Sequence, residues 1–528
     1  STCGNSFAGF PRKARACWSS NGGLRGADPV AAKPAPLQGF HAAGRNSENV
    51  VMEKKEVTRI PRKADDLSEW YTQVCLQAQL ADYTPVRGCI AMRPYGFAIW
   101  ELIQAEFDRR FKATGHSNAY FPLLIPESLL MKEAEHIEGF APEVAWVTEG
   151  GGEKLTERLA IRPTSEVIIG PLYAKWIQSH RDLPVLINQW ANVMRWEKAT
   201  RPFLRTLEFL WQEGHTAHAT QSEAAAEVQQ MLGIYREVAE DVLSLPVISG
   251  RKSENERFAG AQATFAIEAL MPDGKALQAG TSHELGQNFA RAYDIKFADT
   301  DEQQKFVWTT SWGVSWRILG GVVMAHGDDN GLVLPPAVAP YQVVIVPIIR
   351  KGADDVLPSA RELAKELGGV CRVRLDDRLE QSAPWKFNEW ELRGVPLRIE
   401  LGKRDIDGGV VTVARRDTLT KETVPRDQIA ARLPGLLADV QRSLLERARE
   451  DRDSRTVVVE NRAELIAALQ AQRGFVLAAW CERPDCELDI KAQTGAVSRV
   501  IGEQAKPGQR CANCDQPARS LTYFARSY

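Results

Sequence analysis

The sequence predicts a multidomain chain of mixed α+β and α/β build, with an α+β body, a compact α/β module and a small α/β tail. Three observations predict it. The 528 residues exceed what one core supports; at about 150 residues per domain, three or four domains are expected. From residue 341 onward, short apolar strands alternate with helical patterns, which argues for helices packed on a sheet. Four of the nine cysteines, Cys481, Cys486, Cys511 and Cys514, crowd the C-terminal end as two short-spaced pairs.

Composition narrows the class. Hydrophobic content of 44% and charged content of 25% are ordinary for a globular protein, and no apolar run of about 18 residues is present to span a bilayer. A net charge of −2 excludes a uniformly basic coat, so any nucleic-acid binding is regional. The other cysteines, Cys3, Cys17, Cys75, Cys89 and Cys371, are scattered, which fits a reducing compartment and makes the cytoplasm the expected location.

In chain order, residues 1–52 are rich in Gly, Ala, Ser and Pro and poor in acids, and are expected to be a disordered extension. An organelle transit peptide is the alternative, although no Arg-bearing amphipathic helix is visible, and Met52 before EKKEVTRIP reads as an ordinary start. The body is expected over 53–335. Within it Trp100, Ile103, Phe107 and Phe111 share one helical face ahead of Gly115. The apolar run after His116, broken by Pro122 and Pro126, reads as an edge or interface strand. Thr220 and Glu223 form a capping box before Val228, Leu232, Tyr235 and Val242, which predicts a long helix.

The prolines and small residues of 333–340 read as a linker to an α/β module over 340–445. There YQVVIVPII predicts a buried strand, Val356, Ala360, Leu363 and Leu367 a helix, and VCRVRL, PLRIEL and GVVTVA further strands around a Trp-bearing helix at 384–392. Its Arg374, Arg378, Lys386, Arg398, Lys403, Arg404, Arg415 and Arg416 suit either a solvated surface or RNA contact. The tail, 446–528, opens on the charged helix LLERAREDRDSR, a connector, then a strand TVVVE and a helix NRAELIAALQAQ.

The segment from Arg195 to His218 carries the most chemistry. Arg195 and Glu197, two apart, would share a face of an extended strand, where a guanidinium suits a phosphate and a carboxylate suits an adenine amino group. Arg205 and Phe209 follow a Pro-containing turn and offer a second cation and a stacking surface. A salt-bridged hairpin is the plainer alternative for such a pair of residues. Three weaker strings accompany it. Thr164 and Glu166 could hold a ligand ammonium or, preferably on this string alone, cap the following helix. Gln278, Thr281 and His283 surround Gly280, which permits close approach to a ligand or simply a tight turn. Arg317 opens a helix-like run and reads as a phosphate contact or a surface arginine. The four tail cysteines, with four, 24 and two residues between successive members, have the spacing of two knuckles on one tetrahedral zinc ion. Four thiolates close its shell, so the Zn2+ would be structural.

Taken together, these strings resemble the class II aminoacyl-tRNA synthetases. FAIWELIQAEFDRRFKATGHSNAYFP is similar to their first motif, RWE and RTLEF to the second, and GVSWRILGG to the third. RPTSE, RPFLRTLEFLWQEGH, GTSHELGQNF and HGDDNGLVLPP resemble the prolyl-tRNA synthetase family of the archaeal and eukaryotic-like type over about residues 53–528. The resemblance implies an antiparallel catalytic sheet, an anticodon-binding α/β module and a zinc-binding tail. It implies ATP, with Mg2+ on its phosphates, as co-substrate of L-proline, and tRNA(Pro) as acceptor at the 3′-hydroxyl. Arg195 would hold the α-phosphate and Arg317 the γ-phosphate; Glu197 and Phe209 would hold adenine, with Arg205, Thr206, Gln278, Thr281 and Ser315 completing the ATP site. Thr164, Glu166 and Arg195 would anchor proline, with His283 closing the pocket and Trp211 and Phe258 walling the ring. Fewer than a hundred residues separate Glu213 from Ser311, too few for an inserted editing domain. Some relatives end the cysteine set with CxC, where this chain has CxxC. A homodimer follows from the first motif alone, and Tyr528 matches a terminal tyrosine that approaches the active site in some relatives. The alternatives are a threonyl or glycyl enzyme and a non-catalytic paralogue. A threonyl enzyme wants metal ligands in its amino-acid pocket, which the motifs do not offer, and paralogues tend to lose the two arginines present here.

Overall fold

The computed structural model describes residues 60–136, 144–350 and 355–528. The expected extension 1–52, with Cys3, Cys17 and the transit-peptide alternative, lies outside the described residues.

Helix α1, Leu67–Gln77, starts where the Asp66 side chain accepts from the Glu69 amide, and buries Trp70, Tyr71, Val74 and Cys75. Helix α2, Pro94–Ala113, places proline at its first position, where a missing N–H costs nothing. It buries the expected face of Trp100, Ile103, Phe107 and Phe111, at about 1.5–3 kcal/mol for each large side chain, and ends just before Gly115, whose φ of +89° only glycine adopts freely. The run after His116 splits as its prolines require into strand β1, Ser117–Asn118, at a sheet edge, and a short strand Leu124–Pro126 in a separate three-stranded sheet.

The core of the fold is one 11-stranded sheet. After β1 it takes β2 (Val185–Met194), β3 (Glu208–His218), β4 (Val247–Arg251), β5 (Ala263–Leu270), β6 (Ala276–Gly286) and β7 (Trp308–Ser315). Their spatial order is β4-β5-β6-β7-β3-β2-β1, antiparallel except for β1 on β2. One face is covered by α2, by α3 (Gln221–Glu237, with the predicted capping box) and by α4 (Arg317–His326). Glycine at 214 is dictated by this packing, because a Cβ there would lie 2.1 Å from the buried Trp312 ring.

The α/β module holds β8 (Val343–Ile348), β9 (Val373–Leu375), β10 (Leu397–Gly402), β11 (Val410–Arg415) and β12 (Lys421–Pro425) in the order β9-β8-β10-β11-β12. The first three are parallel and the last two antiparallel. The helix Val356–Leu367 buries its four predicted residues against them. The 333–340 segment is no free linker: Val333, Leu334, Pro336 and Val338 are buried, and the Leu332 and Leu334 amides bond the Leu392 and Gly394 carbonyls at 3.0 and 3.1 Å. Its apolar residues outweigh its prolines, and burial follows.

Helix α5, Ile429–Ser454, runs unbroken through the position at 445/446 where a domain boundary is expected. The tail beyond it adds β13 (Val457–Val459), β14 (Val476–Trp480), β15 (Val497–Gln504) and β16 (Ser520–Ala525), with helix α6 (Pro484–Thr494) between β14 and β15. These strands extend the central sheet in the order β13-β14-β16-β15, with β15 joining β4 at Ile501 and Arg251. The chain then closes on the head of β6, where the Tyr528 amide donates to the Ala276 carbonyl at 3.1 Å.

Candidate active site

Side chains on a strand alternate faces, so Phe209, Trp211, Glu213 and His215 of β3 all project from the side of the sheet away from α3. Register carries that face across the sheet. His215 stands opposite Ser311, Ser311 opposite His283, and His283 opposite Thr264; in the next rows Glu213 faces Gly313, and Trp211 faces Ser315. The result is a cavity of about 220 Å³ lined by these residues with Thr164, Glu166, Arg195, Phe258, Gln278, Thr281 and Arg317.

At one end of the cavity, buried carboxylates meet. Glu213 accepts from the Ser165 amide at 3.1 Å, the Ser165 hydroxyl, Gln189 Nε2 at 2.8 Å and His215 Nε2 at 3.1 Å. Thr164 donates its hydroxyl to Glu166, so the preferred capping role is corrected: Ser165 is the N-cap of the helix Glu166–Trp176, and no side chain caps it. Burial alone would lower His215, but the Glu213 bond and the Glu166 charge outweigh it and the net shift is upward. Burial, with Arg195 and His215 adding to it, pushes His283 down to about 3. The two imidazoles of the pocket are thus shifted in opposite directions, His215 up and His283 down. The expectation of no metal-ligand set here is also corrected, since ligand atoms of Glu166, Glu213 and His215 lie within 4.8 Å of one another. His215 Nε2 is already engaged by Glu213 at 3.1 Å, and the two carboxylates of the cluster suit an ammonium.

At the other end, cations meet aromatic faces. The Arg195 guanidinium carbon lies 5.4 Å from the ring centroids of both Phe209 and Trp211, while its Nε donates to the Pro163 carbonyl at 3.1 Å. Solvent reaches Arg195 through the cavity mouth, yet the surrounding protein lowers its pKa despite Glu166, Glu213 and Glu197. Arg317, the first residue of α4, is lowered to about 10 by burial and by the neighbouring Arg195 and Arg205, and its Nε donates to the Leu204 carbonyl at 3.0 Å. Arg195 lies close enough to Arg317 to depress it despite the Glu197 carboxylate, a crowding of cations that a polyphosphate would relieve.

Not every expected residue reaches the cavity. Strand β2 ends at Met194, so Arg195 and Glu197 belong to a loop and not to the expected strand face. Glu197 pairs with Arg205 at 3.4 Å outside the lining, and Thr206 is buried behind it with no partner for its hydroxyl among the described residues. Sequence reasoning gave Glu213, His215, Ser311 and Glu256 no site role, although all four line the cavity. The signal for the first two was their alternation with Trp211 on one strand. Ser311 Oγ and Trp211 Nε1 are buried without partners among the described residues, leaving polar atoms for a ligand.

Family models match three stretches of the chain. Residues 146–326 match the tRNA synthetase class II core domain (G, H, P, S and T), 342–436 an anticodon binding domain and 462–528 the prolyl-tRNA synthetase C-terminal domain. A proline-tRNA ligase of Alkaliphilus oremlandii is 54% identical over 477 residues, covering 90% of this chain and 99% of the relative. The chain belongs to the prolyl-tRNA synthetase family. A second relative, a proline-tRNA ligase of Natranaerobius thermophilus, is 52% identical over 92% of this chain and 100% of its own length. The crystal structure of a prolyl-tRNA synthetase from Cryptosporidium parvum, complexed with halofuginone and AMPPNP, matches with a TM-score of 0.85 and 41% identity, covering 89% of this chain and 97% of that one.

Two further features fit a prolyl-tRNA synthetase. Cys481 and Cys514 Sγ lie 3.5 Å apart, Cys486 and Cys511 3.7 Å, and all four within 4.8 Å of one another. Tetrahedral thiolates at about 2.3 Å from one ion stand about 3.8 Å apart, so the donor set is the right size and type for zinc. In the α/β module the basic cluster is largely spent internally. Arg378 pairs with Asp376 and Glu389, Lys386 with Asp376, Arg398 with Glu391 and Glu400, Lys403 with Asp355 and Asp407, Arg415 with Asp417 and Arg416 with Asp328. Of the eight, only Arg374 and Arg404 have no carboxylate partner among the described residues.

Proposed function

We propose that this enzyme activates L-proline with MgATP and transfers it to the 3′-hydroxyl of tRNA(Pro). The observation that carries this reading is one cavity with an ammonium seat at one end and two crowded arginines at the other. The secondary ammonium of proline sits against Glu166 and Thr164, its ring between Trp211 and Phe258, and His283 closes the pocket from its bond to Thr264. Arg195 then takes the proline carboxylate and the α-phosphate together. Adenine rests on Phe209, with Glu197, Arg205 and Thr206 swinging in from the loop and Gln278, Thr281 and Ser315 below. Arg317 takes the γ-phosphate.

A carboxylate oxygen attacks the α-phosphorus, the bond to the β-phosphate bridging oxygen breaks, and pyrophosphate leaves. Positioning and charge neutralisation supply this step, and no general base is needed. In the second step the 3′-hydroxyl of the tRNA attacks the prolyl carbonyl and AMP leaves. The α/β module holds the anticodon, with Arg374 and Arg404 the two of those eight cations that have no carboxylate partner among the described residues. A structural Zn2+ on Cys481, Cys486, Cys511 and Cys514 holds the tail together. A second copy of the chain covers the first-motif edge, where β1 has one neighbour and Tyr120 and Trp176 are exposed.

Residues 214–310 form α3, β4, β5, β6 and short connecting elements of the body, which supports the reading that no editing domain is inserted there. A missing methylene is worth only about 1–3 kcal/mol, so alanine is mischarged and not cleared in cis. Charging of tRNA(Pro) transcript with labelled proline tests the whole reading. Substantial hydrolysis of alanyl-tRNA(Pro) by the purified chain would remove the editing clause.

A further inference from the structure

We infer that Asn255 and Arg499 are positioning residues through which the C-terminal domain fixes one wall of the proline pocket. This rests on the reading of Phe258 as that wall. Residues 252–262 join β4 to β5 with no regular structure beyond the single turn Glu254–Glu256, yet they carry Glu256 and Phe258 into the cavity. From the catalytic body the segment has the Phe258 amide bonded to Thr264 Oγ1 at 3.0 Å and the Phe258 ring 4.7 Å from that of His283. The body also holds the segment's two ends, with the Lys252 amide on the Thr264 carbonyl at 2.8 Å, the Gln262 amide on the Glu284 carbonyl at 2.7 Å and Asn288 Nδ2 on the Gly260 carbonyl at 2.9 Å; the turn between them is anchored from the tail.

Asn255 Nδ2 donates to the Pro484 carbonyl at 3.0 Å and to Glu487 Oε2 at 3.1 Å, both on the helix that bears Cys486. Glu487 is itself fixed, since its other oxygen accepts the Ser498 amide at 2.8 Å. One residue on, Arg499 reaches back across the domain boundary. Its Nη2 lies 2.7 Å from Glu268 and its Nη1 3.6 Å from Glu256, and Glu268 also takes Lys252 Nζ at 3.1 Å. Two cations and two carboxylates balance there, all with little solvent access except Glu256, which faces the cavity. The turn and its cavity-facing carboxylate are thus tied to the tail, and the start of the segment shares Glu268 with Arg499.

A wall ordered before substrate arrives binds more tightly than one that binding must order. The segment carries none of the assigned ATP residues. Loosening it therefore weakens proline and spares ATP.

The test is pyrophosphate exchange on the full chain with Asn255→Ala, Arg499→Met, Arg499→Lys and Phe258→Ala, with backbone amide exchange over 252–264 followed in parallel. Asn255→Ala and Arg499→Met are expected to raise the proline KM about ten-fold, with kcat and the ATP KM within about two-fold. Arg499→Lys recovers part of the loss, and amides of the segment exchange faster in Asn255→Ala. Asn255 is exposed, so its variant carries the test should Arg499→Met not fold. An unchanged proline KM in Asn255→Ala overturns the inference, as does a fall in kcat at constant KM, which marks mere loss of folded enzyme. If Phe258→Ala leaves the proline KM unchanged, the pocket reading fails as well; if it alone raises KM, only the link to the tail fails.

Discussion

Glu213 Oε2 and His215 Nε2, two residues apart on β3, stand 3.1 Å from each other on the cavity face. The bond raises His215 and lowers Glu213, against burial, which pushes each the other way. Glu213→Gln removes the charge and turns an amide donor toward the Ser165 and Gln189 donors. The variant is expected to raise the proline KM at least about ten-fold and to lose about 1–3 kcal/mol of stability, read from exchange kinetics and urea unfolding.

Arg195 touches both halves of the proposed reaction and Arg317 only one. Arg195→Ala should lower kcat for pyrophosphate exchange by about 10²–10³, the range for losing one preorganised donor to developing charge. Arg317→Ala should act mainly through ATP, raising its KM while the proline KM holds. Equal effects of both variants on proline and ATP would contradict the division of the cavity.

Gly214 and Gly233 make a matched pair for stability. A Cβ at 214 meets the Trp312 ring at 2.1 Å, whereas one at 233, within α3, meets nothing within 4 Å. Gly214→Ala should destabilise by about 1–3 kcal/mol or more, and Gly233→Ala should stabilise by up to about 1 kcal/mol. Urea midpoints that move the same way for both would contradict this packing.

Acid sensitivity should follow two buried histidines. Burial holds His326 at about 4 and His283 at about 3, against an ordinary 6.5. Their folded pKa values are depressed, so the unfolded chain binds more protons between about pH 4 and 6.5. Stability is then full above 6.5 and is lost as pH falls through that window. His326→Gln keeps a donor toward the Leu243 carbonyl and should flatten the loss by about 1.4 kcal/mol per pH unit there. An unchanged slope in urea titrations at several pH values would count against it.

Much of this architecture was legible in the sequence. The helical face through Trp100 and Phe111, the capping box at Thr220 and the tail cysteines are local patterns, and the structure contains each as read. Period-two alternation says which face a side chain takes but not which strand lies beside it. Hence Ser311 between His215 and His283, the pairing of Arg398 with Glu391 and Glu400, and the continuation of the sheet from β4 into β15 all escaped the sequence reading. Glu197, Arg205 and Thr206 stand outside the cavity because their loop forms its own Glu197–Arg205 pair.

The most direct measurement is exchange of labelled pyrophosphate into ATP with single amino acids, using Arg195→Ala as the control. The account predicts rapid exchange with proline, slow exchange with alanine, none with threonine or glycine, and near-complete loss in the control. Absence of exchange with proline, or exchange equal with threonine, would contradict it.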